Sequence, residues 1–181
     1  MALETEAKVR ITQEDLDSLR AGLRELGASC RAARQKEDNW LFDFPDKQLR
    51  EAGCALRLRV YGEETLLTFK GKTQIDPRFK KREELETQVG DSEKLKKILQ
   101  HLGLSICSQY SKYREIYQLH VDQATVDVCL DETPAGTFVE IEGPAPEIVK
   151  LAAQLGWTPD SFIQENYLTL YEEAGLLTEP R

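Results

Sequence analysis

The sequence predicts an α+β fold: eight antiparallel strands, flanked by amphipathic helices, that share one continuous charged face. Three observations carry this expectation. Charged and apolar residues alternate at every second position in segment after segment, which is the strand period. Four other segments repeat their apolar residues at helical spacing. Several strand candidates adjoin through very short connections, which favours antiparallel hairpins.

In chain order, residues 3–11 form the first strand candidate, with Glu4, Glu6 and Lys8 on one face, Arg10 extending the row, and Leu3, Ala7 and Val9 on the other. A helix is expected over 12–26, where Leu16, Leu19, Leu23 and Leu26 form a stripe, Thr12 serves as cap and Gly27 as stop. A strand follows at 37–43, in which Trp40, Phe42 and Phe44 alternate with Leu41 and Asp43 and read as packing; Pro45 to Gly53 holds a short helical turn. Arg57 and Arg59 alternate with Leu56, Leu58 and Val60 in strand 54–61. After Gly62-Glu63, strand 64–72 sets Thr68, Lys70 and Lys72 against Leu67, Phe69 and Gly71.

The segment 73–81, TQIDPRFKK, reads as a longer basic loop able to act as a lid, its Lys80-Lys81 pair solvated or, alternatively, a lid contact to phosphate. Strand 81–89 places Arg82, Glu84 and Glu86 opposite Leu85 and Val89, and a helix over 91–102 follows on Leu95, Ile98, Leu99 and Leu102, ended by Gly103. Strand 108–118 carries Lys112 and Arg114 opposite Tyr113 and Tyr117, and turns at Leu119-His120 into strand 121–131. There Asp127, Cys129 and Asp131 face away from Val126, Val128 and Leu130. Strand 137–143 alternates Glu140 and Glu142 with Val139 and Ile141. A helix over 146–155 precedes Gly156, and a last helix is expected from Pro159, capped by Thr158, with Ile163, Tyr167, Leu170 and Tyr171 on one stripe.

A chain of 181 residues with 40% hydrophobic content suits one domain over 1–181 better than two, and no linker or repeat divides it. The net charge of −8 argues against a general nucleic-acid or anionic-membrane surface, so an anionic ligand requires a focused site. Cys30, Cys54, Cys107 and Cys129 have no paired spacing, the start has no leader pattern, and no run reaches the roughly 18 apolar residues of a membrane span. These features lead to the expectation of a cytoplasmic protein with reduced thiols. With His101 and His120 as the only histidines, any metal ligands are carboxylates. Nothing in the sequence defines an oligomer interface, although a homodimer is compatible with it.

Two architectures satisfy the pattern. An open sheet would lay its apolar face on the helices and show its charges to water; a closed barrel would turn the apolar residues outward under the helices and hold the charges inside. The composition of the charged face favours the second. Eight acids (Glu4, Glu6, Glu84, Glu86, Asp127, Asp131, Glu140, Glu142) and nine bases (Lys8, Arg10, Arg57, Arg59, Lys70, Lys72, Arg82, Lys112, Arg114) are grouped by sign rather than mixed. Such clusters repel unless something reconciles them. A hard cation, Mg²⁺ or Mn²⁺, bound by the carboxylates and shared with a phosphate chain bound by the bases would match both sets.

The ordered set Glu4-x-Glu6-x-Lys8, Arg57-x-Arg59, Leu67-Thr68-Phe69-Lys70-Gly71-Lys72, Arg82-x-Glu84-x-Glu86, Lys112-x-Arg114, Asp127 and Glu140-x-Glu142 resembles the CYTH superfamily of triphosphate tunnel metalloenzymes. That resemblance implies an eight-stranded antiparallel tunnel that binds a small-molecule triphosphate with Mg²⁺ or Mn²⁺. It also implies activity as a triphosphatase or as a class IV adenylyl cyclase. Glu4, Glu6, Glu140 and Glu142, helped by Glu84 or Glu86, would be metal ligands. Lys8, Arg57, Arg59, Lys70, Lys72, Arg82, Lys112 and Arg114 would hold phosphates. Asp127 would join Glu4, Glu6 and Lys8 at the reacting centre, orienting a base or a water. The segment 35–44 and the end around Glu165-Asn166-Tyr167 are similar to bacterial class IV cyclases, but neither is specific for cyclization. No lysine follows Lys150, so the cation that thiamine-triphosphatase types point into the tunnel from the last helix is missing. Hydrolysis of a simple triphosphate, which needs no base pocket, is the first expectation. A cyclase and a non-catalytic polyphosphate or nucleotide binder are the alternatives.

Overall fold

The computed structural model describes residues 3–74, 76 and 78–177. Its strands are β1 (Leu3–Ile11), β2 (Ser29–Asp43), β3 (Ala55–Tyr61), β4 (Glu64–Lys70), β5 (Lys80–Gln88), β6 (Ser105–Val121), β7 (Ala124–Thr133), β8 (Gly136–Glu142) and β9 (Phe162–Ile163). The helices are α1 (Asp15–Glu25), α2 (Gln48–Glu51), α3 (Ser92–His101), α4 (Ala145–Gln154) and α5 (Tyr167–Glu173), with a 3-10 turn at Pro159–Ser161.

The order β5-β4-β3-β2-β6-β7-β8-β1 closes on itself because β1 pairs with β8 through Glu6–Ile11 and with β5 through Leu3–Glu6. All pairings are antiparallel, so the fold is a closed eight-stranded barrel. Closure removes the exposed edges an open sheet would have, and it forces each strand's two faces into different environments. Ala7, Val128, Leu130, Val139 and Ile141 face outward onto Leu16, Leu19 and Leu23 of α1 and Ile148 and Leu151 of α4, which together form the main core. Phe42 and Leu58 pack outward on Leu99 of α3. The charged alternation is therefore turned inward.

Several boundaries differ from the sequence reading for identifiable reasons. Thr12 does not cap α1; its amide and hydroxyl both donate to Asp15 Oδ2, at 3.0 and 2.6 Å, and the helix begins after them. Asp91 caps α3 by accepting from the Lys94 amide at 2.9 Å. The β6–β7 turn falls at Asp122-Gln123 instead of Leu119-His120, because β6 continues to pair as far as Val121↔Ala124 and Asp122 takes the positive φ of 53° that the turn demands. At the β3–β4 hairpin, Gly62 has φ +60°, which glycine adopts without strain, and a Cβ there would press on the Gln35 side chain at 2.6 Å. β2 starts eight residues earlier than expected, at Ser29 against residue 37, and its shifts between Cys30/Ala32 and Ala32/Gln35 break the alternation that would have revealed it.

The expected helix from Pro159 is replaced by the 3-10 turn, β9, and a later helix. Phe162 and Ile163 pair with Val9 and Lys8, where β5 no longer covers the edge of β1, and Asn166 then caps α5 by accepting from the Thr169 amide at 3.0 Å. The described part of the expected lid is tied down. Gln74 and Lys81 bridge, Asp76 binds Lys81 at 3.2 Å, and Phe79 is buried in the main core against Phe162. Pro77, on which the lid expectation partly rested, lies outside the described residues. Among the described residues no helix is long and apolar enough to cross a membrane.

Candidate active site

The inward residues line a cavity of about 1840 Å³. Each strand contributes through its period: β1 sends in Glu4, Glu6 and Lys8; β3, Arg57 and Arg59; β4, Lys70; β5, Lys80, Arg82, Glu84 and Glu86; β6, Lys112 and Arg114; β7, Asp127; and β8, Glu140 and Glu142. Antiparallel register sets Glu6 opposite Glu142 and Lys8 opposite Glu140.

That register divides the acids into two kinds. Carboxylate oxygens of Glu4, Glu6 and Glu142 lie within 4.8 Å of one another. Burial, followed by repulsion from Glu4, Glu140 and Glu6, outweighs nearby Arg114 and pushes the Glu142 carboxyl up to about 8. Burial likewise raises Glu4 above the usual carboxylate range. Lys70 donates to Glu4 at 3.1 Å without offsetting its burial, whereas the other acids are more fully paired. Glu140 sits between Lys8, at 3.2 Å, and Arg114, and although burial alone would raise its carboxyl, Lys8, Arg114 and Lys112 hold it well below the usual range. Glu84 binds Lys70 at 2.6 Å, and Glu86 accepts from Arg59 at 3.1 Å and Thr68 at 2.7 Å. Thus Glu4, Glu6 and Glu142 form the repelling group, with Glu140, Glu84 and Glu86 outside it.

The bases include donors with nothing to donate to. Arg57 Nε, Arg59 Nε, Lys80 Nζ and Arg82 Nε are buried and make no hydrogen bond among the described residues. Buried unsatisfied donors are costly, and their concentration in one charged cavity is an arrangement with the chemistry to accept oxygen-rich anions. Lys80 was expected in solvent; it instead opens β5 on the inward face, 9% exposed, with Glu6 at 3.8 Å. Burial, then Lys8, lowers its ammonium to about 8.

Not every expected residue arrives. Lys72 lies beyond the end of β4, exposed and away from the cavity. Arg10 leaves the row at the barrel end, donating to the Ala135 carbonyl at 3.0 Å and covering the Phe138 ring. Asp127 lines the cavity, held by Gln118 at 2.8 Å and Arg31 at 3.0 Å. Asp131 is fully buried, bound by Lys112 at 2.9 Å, by Arg114 and by the Tyr167 hydroxyl. Cys129 is buried, which pushes its thiol well above the ordinary range and leaves it unsuited as a nucleophile. Two residues lay outside the sequence reading of the charged face. Glu37 is fully buried near Lys112 at 3.5 Å and Arg59 at 3.8 Å, and Asn39 donates to it at 3.0 Å. The i, i+2 spacing of Glu37, Asn39 and Leu41 was the available signal, hidden by the aromatic alternation beside it.

A closed antiparallel barrel that keeps clustered acids and bases inside defines a charge-lined β-tunnel protein. The chain belongs to the CYTH domain family, whose model matches residues 2–157. It is 30% identical over 178 residues to a Methanocaldococcus jannaschii protein named "putative adenylate cyclase", covering 93% of this chain and 98% of that one. Among solved structures it superposes on a Vibrio parahaemolyticus protein described as a "putative adenylate cyclase" with a TM-score of 0.79 at 18% identity, covering 94% and 98% of the two chains. A Hippeastrum protein described as a "putative adenylyl cyclase" with a dominant triphosphatase activity superposes with a TM-score of 0.73 at 17% identity, covering 94% and 96%.

Proposed function

We propose that this protein is a divalent-metal-dependent triphosphatase acting on inorganic tripolyphosphate or an organic triphosphate inside the barrel. The observation that carries the reading is that one cavity holds both the three clustered carboxylates Glu4, Glu6 and Glu142 and the buried donors Arg57 Nε, Arg59 Nε, Lys80 Nζ and Arg82 Nε, which make no hydrogen bond among the described residues. The donor set fits a hard cation: three carboxylates within 4.8 Å, all oxygen, destabilising one another until a cation joins them. Mg²⁺ or Mn²⁺ held there would supply charge neutralisation and water activation for phosphoryl transfer. Arg57, Arg59 and Arg82 orient the phosphate chain and offset charge on the leaving diphosphate. Lys8 and Lys112 reach the same chain as point charges, while Asp127, two strands from Glu6, orients the attacking water.

The 30% identical relative's name favours one second reading, a class IV adenylyl cyclase in which the nucleotide's own 3′-hydroxyl attacks the α-phosphorus. The Hippeastrum protein supports hydrolysis as a reaction this fold accommodates. Phosphorus-31 NMR of the purified protein with Mg²⁺ or Mn²⁺ separates the two readings. Orthophosphate and diphosphate from tripolyphosphate support the triphosphatase, and diphosphate with cyclic AMP from ATP supports the cyclase. No turnover of either by a protein that binds tripolyphosphate would leave a binding module in place of an enzyme.

A further inference from the structure

The family match ends at residue 157, yet the chain after it re-enters the cavity. Tyr167, the first residue of α5, is 6% exposed, and its ring centroid lies 3.9 Å from Lys8 Nζ and 4.1 Å from Lys112 Nζ. Phe138 fixes the ring from one side by an edge contact at 5.7 Å, and Tyr110 stands 6.2 Å away. The phenol donates to Asp131, which also accepts from Lys112. Two residues earlier, the Glu165 carbonyl accepts from Lys8 Nζ at 3.0 Å. One short segment therefore touches both lysines.

Each lysine already has a carboxylate, Lys8 with Glu140 at 3.2 Å and Lys112 with Asp131 at 2.9 Å, yet the two ammonium groups still repel each other where they converge on the cavity. A further carboxylate between them would hold them but would also cancel their charge and repel an incoming polyanion. An aromatic face attracts cations through its quadrupole while carrying no net charge. We infer that Tyr167 is a positioning residue whose ring gathers Lys8 and Lys112 into one phosphate clamp, assembled by the C-terminal segment; this rests on the reading of the cavity as a triphosphate site.

The test is tripolyphosphate binding by calorimetry in EDTA, which needs no turnover. Removing the ring with Tyr167→Leu should weaken binding about tenfold or more, and Tyr167→Phe should stay within about threefold of wild type. Tyr171→Leu loosens the same helix without touching either lysine, and should also stay within about threefold. Equal losses in Tyr167→Leu and Tyr171→Leu would reduce Tyr167 to helix packing and overturn the inference. Wild-type binding with an unchanged Tyr167→Leu would overturn the inference alone; wild type that binds only with Mg²⁺ moves the same comparison to Mg²⁺, and no wild-type binding in either condition would remove the triphosphate site and the clamp together. Should Tyr167→Leu fail to fold, NMR of the wild type decides. Two lysine side-chain signals shifted upfield by the ring and perturbed by tripolyphosphate are expected, and their absence overturns the inference.

Discussion

Lys80 opens β5 facing into the barrel, and Lys81 beside it points outward to Asp76 at 3.2 Å. Neighbouring residues of one strand thus have opposite fates, one in the cavity with no hydrogen bond among the described residues and Glu6 at 3.8 Å, the other in a half-buried ion pair outside it. Lys80→Gln should raise the KM for tripolyphosphate about tenfold, as expected for losing one charge-assisted phosphate contact, with Lys81→Gln within about twofold of wild type. Steady-state kinetics of the two variants checks this, and equal effects would return Lys80 to a general electrostatic role. The Lys-Lys pair was legible in the sequence, but its division between inside and outside was not, because a loop and a strand start look alike until the partner strand is known. Glu4, Glu6, Arg57 and Arg59 were legible because their strands alternate without interruption. Glu37 was not, because it stands where β2 emerges from its irregular stretch.

At the scale of elements, amphipathic stripes located α1, α3 and α4 well: α1 and α4 bury Leu or Ile at helical spacing on the barrel, while α3 buries Leu99 and leaves Ile98 and Leu102 of its stripe exposed. The C-terminal segment shows where local pattern stops deciding. Ile163 fits a helical stripe with Tyr167 and Leu170, yet the unpaired edge of β1 captures it as β9. A non-local pairing that satisfies backbone groups overrides the local periodicity. The helix then restarts at Asn166, whose side chain accepts from the Thr169 amide. Asn166→Ala should cost about 1 kcal/mol, a fall in Tm of about 2–4 °C, with Asn166→Asp close to wild type. Thermal unfolding monitored by circular dichroism tests it, and an unchanged Tm in the alanine variant would show that packing alone positions α5.

Across the whole molecule, the closed barrel concentrates like charges, and the consequence is a pH-dependent stability. In the folded protein Glu142 holds its proton up to about 8 and Glu4 is also raised, both above the ordinary glutamate value of 4.5. The folded state therefore binds more protons than the unfolded chain between those limits, and stability falls as pH rises through that window. Lys80 acts in a separate range: lowered to about 8 from 10.5, it makes stability recover above about 8. Without divalent ions, Tm should decline from about pH 5 to about pH 8, and Glu142→Gln should remove most of the decline. A variant with the same slope as wild type would place the buried proton elsewhere. Sequence by itself determined which side chains share a strand face and that the face carries clustered acids and bases, because the two-residue period is a local property of the backbone. The sign-grouped composition already favoured closure with the charges inside; only the tertiary structure decided that Glu142 rather than Glu140 joins Glu4 and Glu6, and that Lys80, Glu37 and Tyr167 enter the cavity. Those outcomes depend on strand register and on pairings between residues distant in the chain, which no local period encodes.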